Sequence, residues 1–200
     1  MKKMRFPAVL YIPFFMLLCL VSGCVASSVA GKPNAIVSPG VNTNAWATFA
    51  WYQEPDASAA AYGKEYSAGL HAHLRRAVEE ELKKKGIVKA TTGKPDVLVA
   101  FDVSVPVPLE KDNPEHFAEG FGYSYAYMSG YRYQYGHGGL PGYRAVDLYK
   151  SGTLIVDLVD PTANNLLWRG WAEGAISNFN AGYGTIQNQV EHVMQGLRKR

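Results

Sequence analysis

The stretch Gly152-Thr153-Leu154-Ile155-Val156-Asp157-Leu158-Val159-Asp160, then Pro161-Thr162-Ala163-Asn164-Asn165, then Leu166-Leu167-Trp168-Arg169-Gly170-Trp171-Ala172, decides the fold. Leu154, Val156 and Leu158 recur at every second position, so Thr153–Val159 reads as a strand with one apolar face. Residues 160–165 hold Asp, Pro, Thr and two Asn, side chains that close turns. The strand predicted over 166–175 then places Leu166, Trp168, Gly170 and Ala172 on one face and Leu167, Arg169 and Trp171 on the other. Upstream, Lys150-Ser151-Gly152 reads as a tight turn entered from a strand over Tyr143–Tyr149. Three strands joined by short turns make an antiparallel meander.

Working outward, the chain closes with a helix predicted over 185–197. Its stripe is Ile186, Val190, Val193, Met194 and Leu197, with Thr185 placed to cap it. On the N-terminal side, Val97, Val99, Phe101, Val103 and Val105 alternate with Leu98, Ala100, Asp102 and Ser104, which predicts a strand ended by Pro106 and Pro108. Before it, residues 60–85 read as a helix with Leu70, Leu74, Ala77, Val78 and Leu82 in one stripe. Gly86 stands where a left-handed cap is wanted, with Ile87 folding back. Glu79–Lys83, Glu80–Lys84 and Glu81–Lys85 are acid-first pairs four residues apart, so Glu79–Lys85 reads as a solvated helix end. Residues 45–52, rich in Trp, Phe and Tyr, read as the first strand. The expected architecture is α+β: a mixed, mostly antiparallel sheet of about five strands with two helices packed on one face, in a single domain over 45–200.

Between the strands at 97–105 and 143–149 lies a Tyr/Gly-rich insert at about 109–142. In it Phe121, Tyr123, Tyr125, Tyr127, Tyr131, Tyr133 and Tyr135 all occupy odd positions. In an extended chain these rings share one face. Tyrosine offers large, rigid contact area, so Tyr123, Tyr125, Tyr127, Tyr131, Tyr133 and Tyr135 are the candidate binding surface.

The chain begins with Lys2, Lys3 and Arg5, then 16 apolar-rich residues from Phe6 to Val21 interrupted by Pro7 and Pro13. That is the layout of a signal peptide over 1–23, and it is short for a spanning helix. Val21-Ser22-Gly23-Cys24 resembles the lipobox of bacterial lipoproteins, which implies cleavage before Cys24 and lipidation of its sulfur. With more than one acyl chain such a terminus is stably anchored. The next residues are Val25 and Ala26. In the manner of enterobacterial lipoproteins, the lack of an Asp there points to the periplasmic face of the outer membrane. Residues 24–44, small and turn-rich, read as a flexible tether.

Charge and cysteine content exclude several classes. The formal net charge is +3 from 20 basic and 17 acidic residues, but three of the basic ones fall before residue 6 and no acid precedes Cys24, so the remainder is balanced. No basic field is left to hold nucleic acid. The two cysteines stand at 19 and 24, one removed and one consumed by lipid, which leaves no thiol for a disulfide, a metal or a nucleophile. His71 and His73 are two apart on a helix and cannot share a metal as an i,i+4 pair does. His116 and His137 lie in loops, and His192 lies on the polar side of the last helix. Asp157 and Asp160 read as an outward strand position and a turn acid, not as a general acid/base pair. Trp168 reads as core and Arg169 as a surface residue beside it. No catalytic residue, metal or cofactor is expected.

The order of elements resembles domain-of-unknown-function family 4136, a bacterial lipoprotein family. The likeness is carried by Thr48-Phe49-Ala50-Trp51, Lys85-Gly86, Pro95-Asp96-Val97-Leu98-Val99, and above all Gly152 to Asp160 followed by Leu166 to Gly170, over roughly residues 45–197. Such proteins often end in Phe-Pro, where this chain ends Arg198-Lys199-Arg200. The resemblance implies no catalytic residues. The expected function is a non-enzymatic binding or structural role in the envelope. The partners would be the membrane through the anchor and an envelope protein or glycan. The alternatives are a glycan- or lipid-binding module using a Tyr/Trp surface, and an envelope hydrolase.

Overall fold

The computed structural model describes residues 31–52, 66–106, 122–124 and 150–197. Among the described residues, seven strands and two α-helices make an α+β fold: β1 (Asn34–Val37), β2 (Thr48–Trp51), α1 (Ala68–Lys84), β3 (Val88–Lys89), β4 (Val97–Pro106), β5 (Gly122–Ser124), β6 (Leu154–Val159), β7 (Leu166–Ala172) and α2 (Tyr183–Val193). Six strands follow the order β1-β7-β6-β4-β2-β3, and β5 pairs with β4 off that path. The sheet is mixed. β2 runs parallel to both β3 and β4, and every other pair is antiparallel. The strand count exceeds the expected five because β1, β3 and β5 are short strands with no alternating pattern long enough to register.

The predicted hairpin stands as β6 and β7. Asp160 Oδ1 accepts from the backbone N–H groups of Thr162 and Ala163 at 2.6 and 2.9 Å, and Asn164 takes φ 57°. Gly152 sits at φ +81°, and a Cβ there would stand 2.6 Å from the Ile176 carbonyl oxygen, so the turn before β6 requires glycine. The strand predicted over Tyr143–Tyr149 lies outside the described residues.

Both helices pack on one side of the sheet, and between the layers lies the core. Leu70, Leu74, Ala77, Val78 and Leu82 of α1, and Ile186, Val190 and Val193 of α2, are buried against Phe49, Val99, Phe101, Val156, Leu158 and Trp168. Trp168 is fully buried, and its ring lies beside Gly170. A methyl at Gly170 would clash with its ring and come within 2.7 Å of Val193 O.

Helix α1 begins later than predicted. Ser67, extended, caps it, its Oγ accepting from Leu70 N at 3.1 Å, so Tyr66 and Ser67 precede the helix; the start predicted at 60 lies outside the described residues. Its end is as predicted. Gly86 (φ 78°) donates to Lys83 O and Ile87 to Leu82 O, at 3.0 and 2.9 Å. The Glu79–Lys85 run is not wholly solvated, however. Glu81 and Lys85 are buried and paired at 3.3 Å, and Lys85 Nζ donates to Leu197 O at 2.9 Å, fastening the last turn after α2. Thr185 does not cap α2; the cap is Gly182, three residues before it.

Two further departures concern the N-terminal side. Asn34–Val37, inside the stretch read as a tether, is an edge strand paired to β7 with Asn34 opposite Trp171 and Val37 opposite Trp168. The first core strand starts at Thr48, not at residue 45, because Asp96 holds it there. Asp96 Oδ2 accepts from Ala47 N, Thr48 N and Thr48 Oγ1 at 2.8, 2.8 and 2.9 Å, tying the starts of β2 and β4 together.

Candidate functional site

Two clusters of chemically capable side chains lie on opposite sides of the sheet. The first is on the face away from the helices. Strand alternation puts Ala100, Asp102 and Ser104 of β4, Ile155, Asp157 and Val159 of β6, and Arg169 of β7 on that face. All seven are at most 1% exposed. Asp157 lies directly opposite Arg169 in the ladder. The guanidinium grips the carboxylate at both oxygens, Nε to Oδ1 and Nη2 to Oδ2, each at 2.8 Å. Burial pushes the Asp157 carboxyl above the ordinary aspartate value, and the charge and hydrogen bonds of Arg169 oppose that rise.

This corrects two sequence readings. Arg169 is not a surface residue, and Asp157 is not a solvated outward position. A bulge between Leu158 and Val159 sets this register. Counting back from the Val159–Leu166 pair without it would set Asp157 against Trp168; with it, Leu158 meets Trp168 and Asp157 meets Arg169. The available signal was opposite charge at facing positions of one hairpin.

The second cluster is in the helix layer, at the start of α1. The Tyr66 hydroxyl and His71 Nδ1 are 3.1 Å apart, and the His71 ring lies 5.1 Å from that of Phe101. Burial, with a smaller contribution from Arg75, lowers the His71 pKa to about 4. The ring is therefore neutral near pH 7 and shares one hydrogen bond with the tyrosine hydroxyl. One turn on, Arg75 stacks 4.9 Å above the Trp51 ring, whose Nε1 donates to Glu79 at 2.8 Å. Arg76 stacks 4.2 Å from the Tyr183 ring, and Tyr183 donates to Glu80 at 2.6 Å. Stacked guanidinium–ring pairs are thus found at Trp51 and Tyr183.

The sheet separates the two clusters. His71 packs on the helix side of β4, whereas Asp102 and Ser104 of the same strand point the other way, so no Ser–His–Asp or acid–His group converges among the described residues. No group of three His, Cys, Asp or Glu side chains there could hold a metal. Asp160 belongs to its turn, and the N–H groups of Ala163 and Thr162 hold its carboxyl below the usual range. His192 Nε2 lies 3.1 Å from Gly31 O.

Of the candidate binding surface read from the sequence, only Tyr123 lies among the described residues. It sits in β5 opposite Val105. Cys24, Tyr125, Tyr127, Tyr131, Tyr133 and Tyr135 lie outside them, as do His116 and His137. Among the described residues no helix is long and apolar enough to cross a membrane.

Residues 34–196 match the family described as a domain of unknown function, DUF4136. The chain belongs to this family. Its boundary at residue 34 coincides with the first residue of β1. Among solved structures, a DUF4136 family protein from Bacteroides thetaiotaomicron is 15% identical, with 82% of this chain and 91% of that one covered, at a TM-score of 0.46. A PDZ domain protein from Parabacteroides distasonis is 16% identical over 83% of this chain and 35% of its own, at 0.43. The PelC dodecamer from Paraburkholderia phytofirmans is 10% identical over 85% and 99%, at 0.41. No curated protein matches the sequence.

Proposed function

We propose that this chain is a lipid-anchored lipoprotein of the outer membrane, on its periplasmic face, with a non-enzymatic binding or structural role in the envelope. The observation that carries the anchor is Val21-Ser22-Gly23-Cys24 at the end of a basic-then-apolar leader. The non-enzymatic half is supported by where the titratable groups stand. The carboxylate best placed for chemistry, Asp157, is committed to Arg169, and the histidines of α1 lie across the sheet from Asp102 and Ser104. The partner surface we assign is the tyrosine series at 123, 125, 127, 131, 133 and 135, with an envelope protein or glycan as the partner.

Expression of the full chain and of Cys24→Ser, with fractionation and mass measurement of the mature N-terminus, tests the anchor. The wild type should carry lipid on Cys24 and sediment with the outer membrane, and the variant should be uncleaved or misprocessed. An unmodified, freely soluble wild type would remove the proposal. Crosslinking in intact cells tests the surface: Tyr→Ser changes at 125, 127, 131 and 133 should abolish the trapped species.

A further inference from the structure

We infer that the end of the sheet marked by Gly31, Glu173 and Lys150 faces the lipid surface of the membrane, an inference that rests on the lipidation of Cys24. Gly31 is fixed to the fold at this end. Its N–H donates to Glu173 O at 2.9 Å, its carbonyl lies 3.1 Å from His192 Nε2, and Lys150 Nζ pairs with Glu173 Oε2 at 3.8 Å. From Cys24 to Gly31 the chain advances seven residues. Even fully extended, seven residues reach about 25 Å, so Gly31 cannot stand farther than that from the anchored sulfur.

The opposite end of the sheet is the Asp160–Asn165 turn. The seven residues of β7 separate the two ends by about 23 Å at ~3.3 Å per residue. For that turn to meet the bilayer first, the strands and the turn would have to fit beneath Gly31 with the linking residues stretched to their limit. With the Gly31 end toward the bilayer, no such extension is needed.

The same end carries the exits of two central strands. Gly152 N donates to Ser104 O at 2.6 Å and Ser104 N to Thr153 O at 2.9 Å, so β4 leaves and β6 enters side by side. β5 pairs with Ser104–Pro106 here as well; because the tether holds Gly31 close to the anchored sulfur, the occupant of this end is the headgroup region of the membrane.

The mature chain has no cysteine after Cys24, so one introduced thiol is unique. Lys150→Cys and Ala163→Cys mark the two ends. Both positions are exposed, and the ion pair lost at Lys150 is a surface one of little worth. The lipidated full-length proteins, each carrying one fluorophore, are reconstituted into phosphatidylethanolamine–phosphatidylglycerol vesicles containing a nitroxide headgroup lipid. Quenching should be severalfold stronger at 150 than at 163. Equal quenching, or stronger quenching at 163, overturns the orientation. Mass measurement on the same samples separates the two levels: an N-terminus without lipid overturns the reading of Cys24 and the orientation with it.

Discussion

Arg169 and Asp157 meet across the β6–β7 ladder as a two-pronged ion pair with no exposure to solvent. A buried pair of this kind contributes less than its geometry suggests, because both charges were taken out of water, but breaking it strands one of them. Arg169→Met should therefore cost about 3–5 kcal/mol, and Asp157→Leu a similar amount. The double variant should be markedly more stable than the sum of the two losses allows. Urea denaturation of the four proteins measures this, and additive losses would show that the two groups do not act as a pair.

The Trp168 indole fills the space beside Gly170 on the helix side of β7. Trp168→Ala should cost about 3–5 kcal/mol, as loss of a buried aromatic does. Trp171→Ala, at a half-buried position on the other face, should cost clearly less. Gly170→Ala should destabilise by about 1–3 kcal/mol through overpacking against the indole and Val193 O. The order of the three midpoints in chemical denaturation decides whether the faces are assigned correctly.

His71 gives the fold a pH dependence of definite sign. Burial lowers its pKa to about 4 in the folded chain from the ordinary 6.5. Between these values the unfolded chain binds the proton and the folded chain does not, so this residue's contribution falls as pH drops from about 6.5 toward 4. His71→Phe, facing Tyr66 and Phe101, should flatten the stability profile in that window. Thermal melts of both proteins at a series of pH values test it, and parallel profiles would refute it.

One carboxylate oxygen of Asp96 accepts three hydrogen bonds from Ala47 and Thr48. Asp96→Ala gives up three hydrogen bonds at an exposed junction, where water takes over the donors, and should destabilise by about 0.5–1.5 kcal/mol. Hydrogen exchange should accelerate first at the Ala47 and Thr48 amides. Uniform acceleration across the sheet would mean that Asp96 supports the whole fold rather than this junction.

What the sequence made legible was the part governed by periodicity. The alternation in β4 and β6, the Asp160 turn, the Gly86 cap and the apolar stripes of α1 and α2 all follow from local spacing and stand in the structure. What it hid depends on partners far away in the chain. Asn34–Val37 has no pattern of its own and becomes a strand only because β7 offers an edge. The partnership of Asp157 with Arg169 depends on a one-residue bulge that composition does not encode. The burial of Glu81 and Lys85 follows from the arrival of Leu197, more than a hundred positions later.

The placement of Asn34–Val37 bears on where the chain can be cut. A shortened protein beginning at residue 45, where the aromatic run of sequence opens, would lose the strip that covers β7. Every second residue of β7, namely Leu167, Arg169 and Trp171, would then present open backbone donors and acceptors to any neighbour. The native sheet instead ends at β1, four residues long, and at β3, two residues long with Lys89 in it, and so offers little for another chain to extend. The cover on this edge of the sheet thus belongs to a few residues that a trimmed version would discard.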